Sequence, residues 1–264
     1  MIKWALWIAL LLWVNGLNAA SYSGFTEPNR EIALAAPEMD ILASLNVQEG
    51  AQVKQGDVVA SLDNRVLEAA LEVAKARKNA AGRLKAAQTI AKLHQERLDR
   101  LTPLLAKGHA QAHEISEARI ALESAQAEVQ AARDAIQESS LEYNRLRAQI
   151  ERRRLRSPFN GMVTQIIRQP AEWVGGQQAD IMRIASVDPL RVTLHLPTAA
   201  ALALKKDQMV KVHFPGLDFA SQSAKVTFIA PITDASSDTV KIHVQFPNPK
   251  YSIRSGVKCT VEID

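Results

Sequence analysis

The residues able to do chemistry are few and scattered. His109 and His113 stand four apart, a spacing that on a helical turn brings two imidazoles to one side, where Glu114 or Glu117 would complete a metal site. The same pair also reads as two polar residues on an exposed turn, which needs no ligand. His94 interrupts an apolar periodic stretch, where a polar residue fixes register, and His195, His213 and His243 fall on separate alternating segments without metal-ligand spacing. His213, flanked by Val212 and Phe214, is read as shielded. Met39, Met162, Met182 and Met209 are dispersed, so a soft-metal relay has no support. Cys259 is the single cysteine, which excludes an intramolecular disulfide and a Cys-rich metal site. No Gly-rich phosphate loop or nucleophile elbow is present. Hydrolysis, group transfer and redox chemistry lack their usual handles; no catalytic residue, metal or cofactor is expected, and the chain reads as a non-enzyme.

Composition agrees with that reading. Of the 264 residues 47% are hydrophobic but only 5% aromatic, so Ala, Leu and Val fill the apolar quota, and long Ala-rich helices are favoured over a deep pocket. A net charge of +4 suits work near anionic phospholipid and falls short of a nucleic-acid binder. The one basic cluster, Glu151-Arg152-Arg153-Arg154-Leu155-Arg156, is read as the solvated end of a helix, where the dipole favours cations. Residues 1–20, "MIKWALWIALLLWVNGLNAA", place Lys3 before an apolar run from Trp4 to Val14 and end on small residues, the pattern of an export signal. The run is shorter than the ~20 residues of a spanning helix. Cleavage near Ala19 or Ala20 is therefore favoured over retention as an inner-membrane anchor, and the rest is expected to be exported, soluble or membrane-peripheral.

Residues 21–30 read as a polar lead-in. Residues 31–63 carry short apolar or alternating runs separated by Glu49-Gly50 and Gln55-Gly56-Asp57, a β-rich piece too small to close a core alone. A second copy lies 121 residues on, with Pro37 matching Pro158, Asp40 matching Gly161 and Val53 matching Val174, so residues 153–187 are expected to pair with the first half into one small sandwich. The insertion, residues 64–152, must then leave and return at one place. Its return half repeats Ile115, Ala118, Leu122, Ala125, Val129, Ala132, Ile136, Ser139, Tyr143, Leu146 and Ile150 in alternating steps of three and four, a heptad seam. The outgoing half shows the same rhythm through Leu84, Ala87, Ala91, His94, Leu98, Leu101 and Leu105, less cleanly from Leu67 to Ala81. Two antiparallel helices turning near Gly108 are predicted. From residue 188 to 264, period-two segments separated by turn residues predict a five- or six-stranded antiparallel barrel, with one short helix in "PTAAALALKKD".

The first half resembles the biotinyl or lipoyl carrier domain, which presents a modifiable Lys on a turn. This chain has Glu38-Met39-Asp40 there, and Lys54 sits in a different turn, so a carried cofactor is not expected. The whole arrangement resembles the periplasmic adaptor subunits, or membrane fusion proteins, of bacterial efflux pumps and type I secretion systems. The phrases that carry this are "VQEGAQVKQGDVVASLD", "SPFNGMVTQIIRQPAEWV", "MRIASVDPLRVTLHLP" and "IRSGVKCTVEI". The resemblance implies a lipoyl-like β-sandwich split by a long coiled-coil hairpin and followed by an antiparallel β-barrel.

It also implies a periplasmic protein, peripheral to or anchored in the inner membrane. Such a protein assembles with itself, commonly as a hexamer, and links an inner-membrane transporter to an outer-membrane channel for export of small molecules or proteins. The family's tip pattern, an Arg, a Leu four residues on and a Ser seven beyond it, falls on Arg100, Leu104 and Gln111, which are expected to dock the channel; Gln keeps a hydrogen-bonding side chain but adds length. Asp40 replaces a favoured Gly and is expected to tolerate a left-handed backbone. With the barrel segments running to Asp264, the membrane-proximal domain of many drug-efflux adaptors is not expected, which leaves the transporter open between RND and ABC types. A stand-alone coiled-coil scaffold for another envelope partner is one alternative, and a biotinyl or lipoyl carrier protein, which the missing turn Lys opposes, is the other.

Overall fold

The computed structural model describes residues 20–263. Apart from Ala20, the expected export signal lies outside the described residues. Strands β1 (Ala20–Ala35), β2 (Asp40–Leu45), β3 (Gln52–Val53) and β4 (Val58–Leu62) precede helices α1 (Arg65–Lys78), α2 (Gly82–Ala106) and α3 (Ala112–Arg152). Strands β5 (Arg154–Arg156), β6 (Gly161–Ile166), β7 (Trp173–Val174) and β8 (Asp180–Pro197) follow, then a short helix α4 (Thr198–Ala203) and strands β9 (Met209–His213), β10 (Gln222–Asp234), β11 (Thr239–Phe246) and β12 (Lys258–Ile263). The chain is an elongated mixture of α and β in which a helical hairpin separates two sets of strands.

The repeat in the sequence becomes a pseudo-twofold in the backbone. Strands β2 and β6 start and stop 121 residues apart, as do β3 and β7. Each half completes the other: β3 pairs with β6 through Val53 and Gly161, and β7 pairs with β2 through the equivalent Val174 and Asp40. The turn bonds repeat too. Gly50 N–H donates to the Val163 carbonyl at 2.8 Å and Val163 N–H to the Ala51 carbonyl at 2.9 Å, while Ala171 N–H donates to Leu42 at 2.8 Å and Leu42 N–H to Glu172 at 2.9 Å. Neither half alone could enclose Leu42, Val59, Val163, Val174, Ile181 and Ile184; together they bury these residues completely.

The second core is built on pairings that return to their start. The order β1-β12-β9-β10-β11-β8 is antiparallel throughout, and β8 pairs back onto β1. Leu190, Val192 and Leu194 of β8 alternate inward with Ile242, Val244 and Phe246 of β11, while the polar residues between them face out.

Residues 21–30 are not a lead-in but the first part of β1, which pairs with β12 from Ala20 to Phe25 and with β8 from Phe25 to Ala35. Long-range bonds satisfy this polar segment. Buried Thr26 donates from Oγ1 to the Arg254 carbonyl at 2.7 Å and accepts from Val257 N–H at 2.9 Å, and Gly24 lies where a Cβ would stand 2.8 Å from Leu194 Cδ2. Nor does the chain break near residue 187: β8 runs on from Asp180 to Pro197, and buried Asn248 braces it by donating from Nδ2 to the Val187 carbonyl at 3.1 Å and from its backbone N–H to Asp188 Oδ1 at 2.8 Å. With β1 alongside, two paired strands join both cores.

All eleven seam positions of α3 are buried or half-buried, and so are those of α2 from Leu84 to Leu101. The outgoing arm is nevertheless two helices, interrupted at Asn79–Ala81, where Asn79 and Gly82 are weak helix formers. Lys78 Nζ caps the gap from 4.7 Å above the ring of Tyr143 on α3. Helix α2 in turn extends through Pro103 to Ala106 and α3 restarts at Ala112, so the turn between the arms is confined to residues 107–111 around Gly108. At ~1.5 Å per residue, α3 is about 60 Å long.

Candidate docking site at the hairpin tip

The tip is a tight reversal. Helix α2 stops at Ala106; Gly108, with φ of 74°, supplies the left-handed residue that closes the end, and its N–H donates to the Leu105 carbonyl at 3.0 Å while His109 N–H donates to Leu104 at 2.9 Å. Helix α3 restarts at once. Gln111 is its N-cap, with φ −98° and ψ 151°, and its N–H donates to Glu114 Oε2 at 2.8 Å.

The three candidate docking residues lie on this frame. Arg100 and Leu104 are one turn apart on α2, and Gln111 opens α3; all three are exposed, Leu104 at 39%. The N-cap placement of Gln111 gives a local reason for the serine of the resembling family, since Ser is among the strongest N-caps. His109 and His113 flank the same turn, and among the described residues no group of three His, Cys, Asp or Glu is placed to hold a metal. His213 is not shielded: it lies half-exposed on β9 with Nε2 3.0 Å from Glu262 Oε2.

What aims the tip is the hairpin's base, and here the basic cluster takes on a role its composition did not disclose. Arg153, the C-cap of α3, is only 8% exposed and turns back onto the sandwich, where Nε lies 2.7 Å from Glu38 and Nη2 pairs with Asp40. Arg152 reaches Glu38 at 2.9 Å, and Arg156 donates to the Gly56 carbonyl at 2.8 Å. Glu151 bonds Arg154 at 2.7 Å and Arg156 at 3.0 Å, and the Arg156 bond in particular holds its carboxyl below the usual range. At the outgoing end, the Arg65 side chain and backbone N–H hold Asp63 down at about 2. The run is therefore a clamp rather than a solvated helix end.

Asp40 is corrected with it. Its backbone is extended strand, not left-handed, and its carboxylate exists to meet Arg153. Its repeat mate Gly161 has no such freedom, because a Cβ there would lie 2.6 Å from the Ala185 carbonyl oxygen. A carboxylate replacing Gly in one copy of a repeat, together with an Arg-rich run at the hairpin's return, was the available signal for this clamp.

Residues 190–264 match the family described as CusB-like, beta-barrel domain. Over 248 residues the chain is 24% identical to the multidrug resistance protein MdtE of Escherichia coli (strain K12), covering 89% of this chain and 61% of that protein. It is 26% identical over 247 residues to the nodulation protein NolF of Rhizobium meliloti (strain 1021), covering 91% and 62%. The chain thus spans about three fifths of the length of the curated relatives it matches. In fold it is similar to MacA from Actinobacillus actinomycetemcomitans, with a TM-score of 0.76 at 21% identity over 93% of this chain and 78% of that one. The membrane fusion protein Spr0693 from Streptococcus pneumoniae R6 superimposes with a TM-score of 0.64 at 15% identity, over 93% and 98%. The chain is thus similar in sequence to MdtE and NolF, and in fold to MacA and the membrane fusion protein Spr0693.

Proposed function

We propose that this chain is a non-catalytic periplasmic adaptor, linking an inner-membrane transporter of RND or ABC type to an outer-membrane channel for export of small molecules or proteins. In this reading residues 31–63 and 153–187 form a lipoyl-like sandwich, residues 64–152 a coiled-coil hairpin, and residues 188–264, closed by the first part of β1, a β-barrel that meets the transporter. The return of the strand pairings from β8 to β1 supports the barrel. Several copies assemble around the exported substrate, and each hairpin tip meets a channel helix.

The observation that carries the proposal is the combination of a clamped base with an uncovered tip. Arg153 ties α3 to Glu38 and Asp40, while Arg100, Leu104 and Gln111 stand exposed at the far end of the hairpin. Leu104 supplies an apolar knob, Arg100 a charge, and Gln111 a hydrogen-bonding amide. Among the described residues no helix is long and apolar enough to cross a membrane, which fits a body working beside the bilayer. Leu104→Asp tests this reading. It should abolish export while leaving the melting temperature unchanged, because Leu104 packs into no core; full export by that variant would remove the docking proposal.

A further inference from the structure

Where the outgoing arm leaves the sandwich, a groove of about 450 Å³ opens beside the first turn of α1. Its apolar side is formed by Ile41, Ala43, Pro170 and Ala171, from β2 and the turn before β7. Asn64, the N-cap of α1, lines the same groove while only 9% exposed, and its side chain makes no cap bond to the helix. Its Oδ1 is buried without a hydrogen-bond partner among the described residues. A buried acceptor left unmet carries the full cost of its lost hydration, so a position that keeps one calls for a donor from outside the chain.

The other polar groups around the groove narrow what that donor can be. Ser61 Oγ is 2.9 Å from Ser44 Oγ, and Asp63 Oδ1 accepts from the Arg65 backbone N–H and Nε, both at 3.0 Å. Glu68, one turn along from Asn64, makes no ion pair among the described residues. Two carboxylates, Asp63 and Glu68, therefore face one guanidinium, Arg65, and the excess negative charge rests on Glu68. An anion drawn to the N-terminus of α1 would meet Glu68 and offer Asn64 Oδ1 no donor. A bare metal cation would find Asp63 already engaged, and among the described residues no group of three His, Cys, Asp or Glu is placed to hold one. An ammonium group supplies both what Oδ1 lacks and the charge that Glu68 lacks.

We infer that this groove is a binding site for a small amphiphilic amine: the ammonium donates to Asn64 Oδ1 with Glu68 as its counter-ion, and the hydrocarbon chain lies against Ile41, Pro170 and Ala171. A few placed polar groups beside an apolar wall are what such a ligand needs for orientation and for affinity. The site goes beyond the adaptor reading and does not depend on it, since Arg100, Leu104 and Gln111 lie at the other end of the hairpin. It places a ligand at the outgoing root of the hairpin, while Arg153 clamps the returning root.

Titration calorimetry of the full chain with n-hexylamine, which is protonated at pH 7.5, tests it. Saturable binding with a Kd of about 1 mM or lower is expected, and hexanoate, with the same length of chain and the opposite charge, should not bind. Asn64→Leu keeps the volume and removes the acceptor, and should weaken the amine about tenfold or more. Glu68→Gln changes an exposed side chain that packs into no core, and should weaken it roughly threefold. The melting temperature shows whether each variant is folded, and Glu68→Gln with the hexanoate comparison decides the matter should Asn64→Leu unfold. Absence of amine binding by the unaltered chain, hexanoate binding as tight as the amine's, or an amine affinity unchanged in Glu68→Gln or in folded Asn64→Leu overturns the proposed site.

Discussion

Replacing Asp40 with Asn should loosen the hairpin's base by an amount the clamp geometry sets. Arg153 is 8% exposed and has two carboxylate partners, Glu38 at 2.7 Å and Asp40. Asp40→Asn keeps the shape and removes one charge, so the guanidinium stays buried with a single partner. Removing one partner of a buried ion pair costs about 3–5 kcal/mol, and because Glu38 stays beside the guanidinium and both carboxylates are partly exposed, about 2 kcal/mol applies here. Arg153→Met keeps the packing of the stem and leaves two carboxylates that water can reach, at a cost of about 3 kcal/mol. The double variant should cost no more than Arg153→Met, giving a coupling of about 2 kcal/mol. Urea unfolding of the chain from Ala20 onward measures this directly, since Trp4, Trp7 and Trp13 lie before that point and Trp173, paired with Ile41 beside Asp40, is then the one fluorescent tryptophan. Additive losses, with coupling below about 0.5 kcal/mol, would refute the clamp.

Two more outcomes follow from the same two cores. Ala171 holds φ of 73° at the position where its repeat mate Gly50 holds 84°, so Ala171→Gly should stabilise the sandwich by about 1 kcal/mol in urea titration, and a neutral or destabilising result would count against the strain. Burial pushes the Cys259 thiol up to about 11, so at pH 8 it should resist an aromatic disulfide reagent in native buffer and react fully in denaturant; prompt labelling of the folded chain would show that the β1–β12 edge opens.

How much of this was legible in the sequence depends on how far apart the cooperating residues are. The heptad seam needed only local periodicity, and its α3 positions turn inward from Ile115 to Ile150. The repeat was equally visible, because an offset of 121 residues leaves Val53 and Val174 in matching environments. The first part of β1 was not legible: Gly24, Thr26 and Pro28 carry no alternation, and their bonding partners lie near residues 190 and 257, so only the closed pairing reveals them as strand. The interruption at Asn79–Ala81 hid inside a rhythm that an Ala-rich helix continues at little cost. The clamp was missed for a different reason. A run of arginines looks solvated in one dimension, and only the fold sets Arg153 against Glu38 and Asp40.

The adaptor reading is tested most directly by a photo-crosslinking amino acid at Gln111, introduced in living cells, with the captured protein identified by mass spectrometry. Gln111 is exposed at the tip, so the substitution leaves the fold intact. Capture of an outer-membrane channel is the predicted result. Capture of only this chain or of a soluble periplasmic protein would contradict the bridging role and favour a coiled-coil scaffold instead.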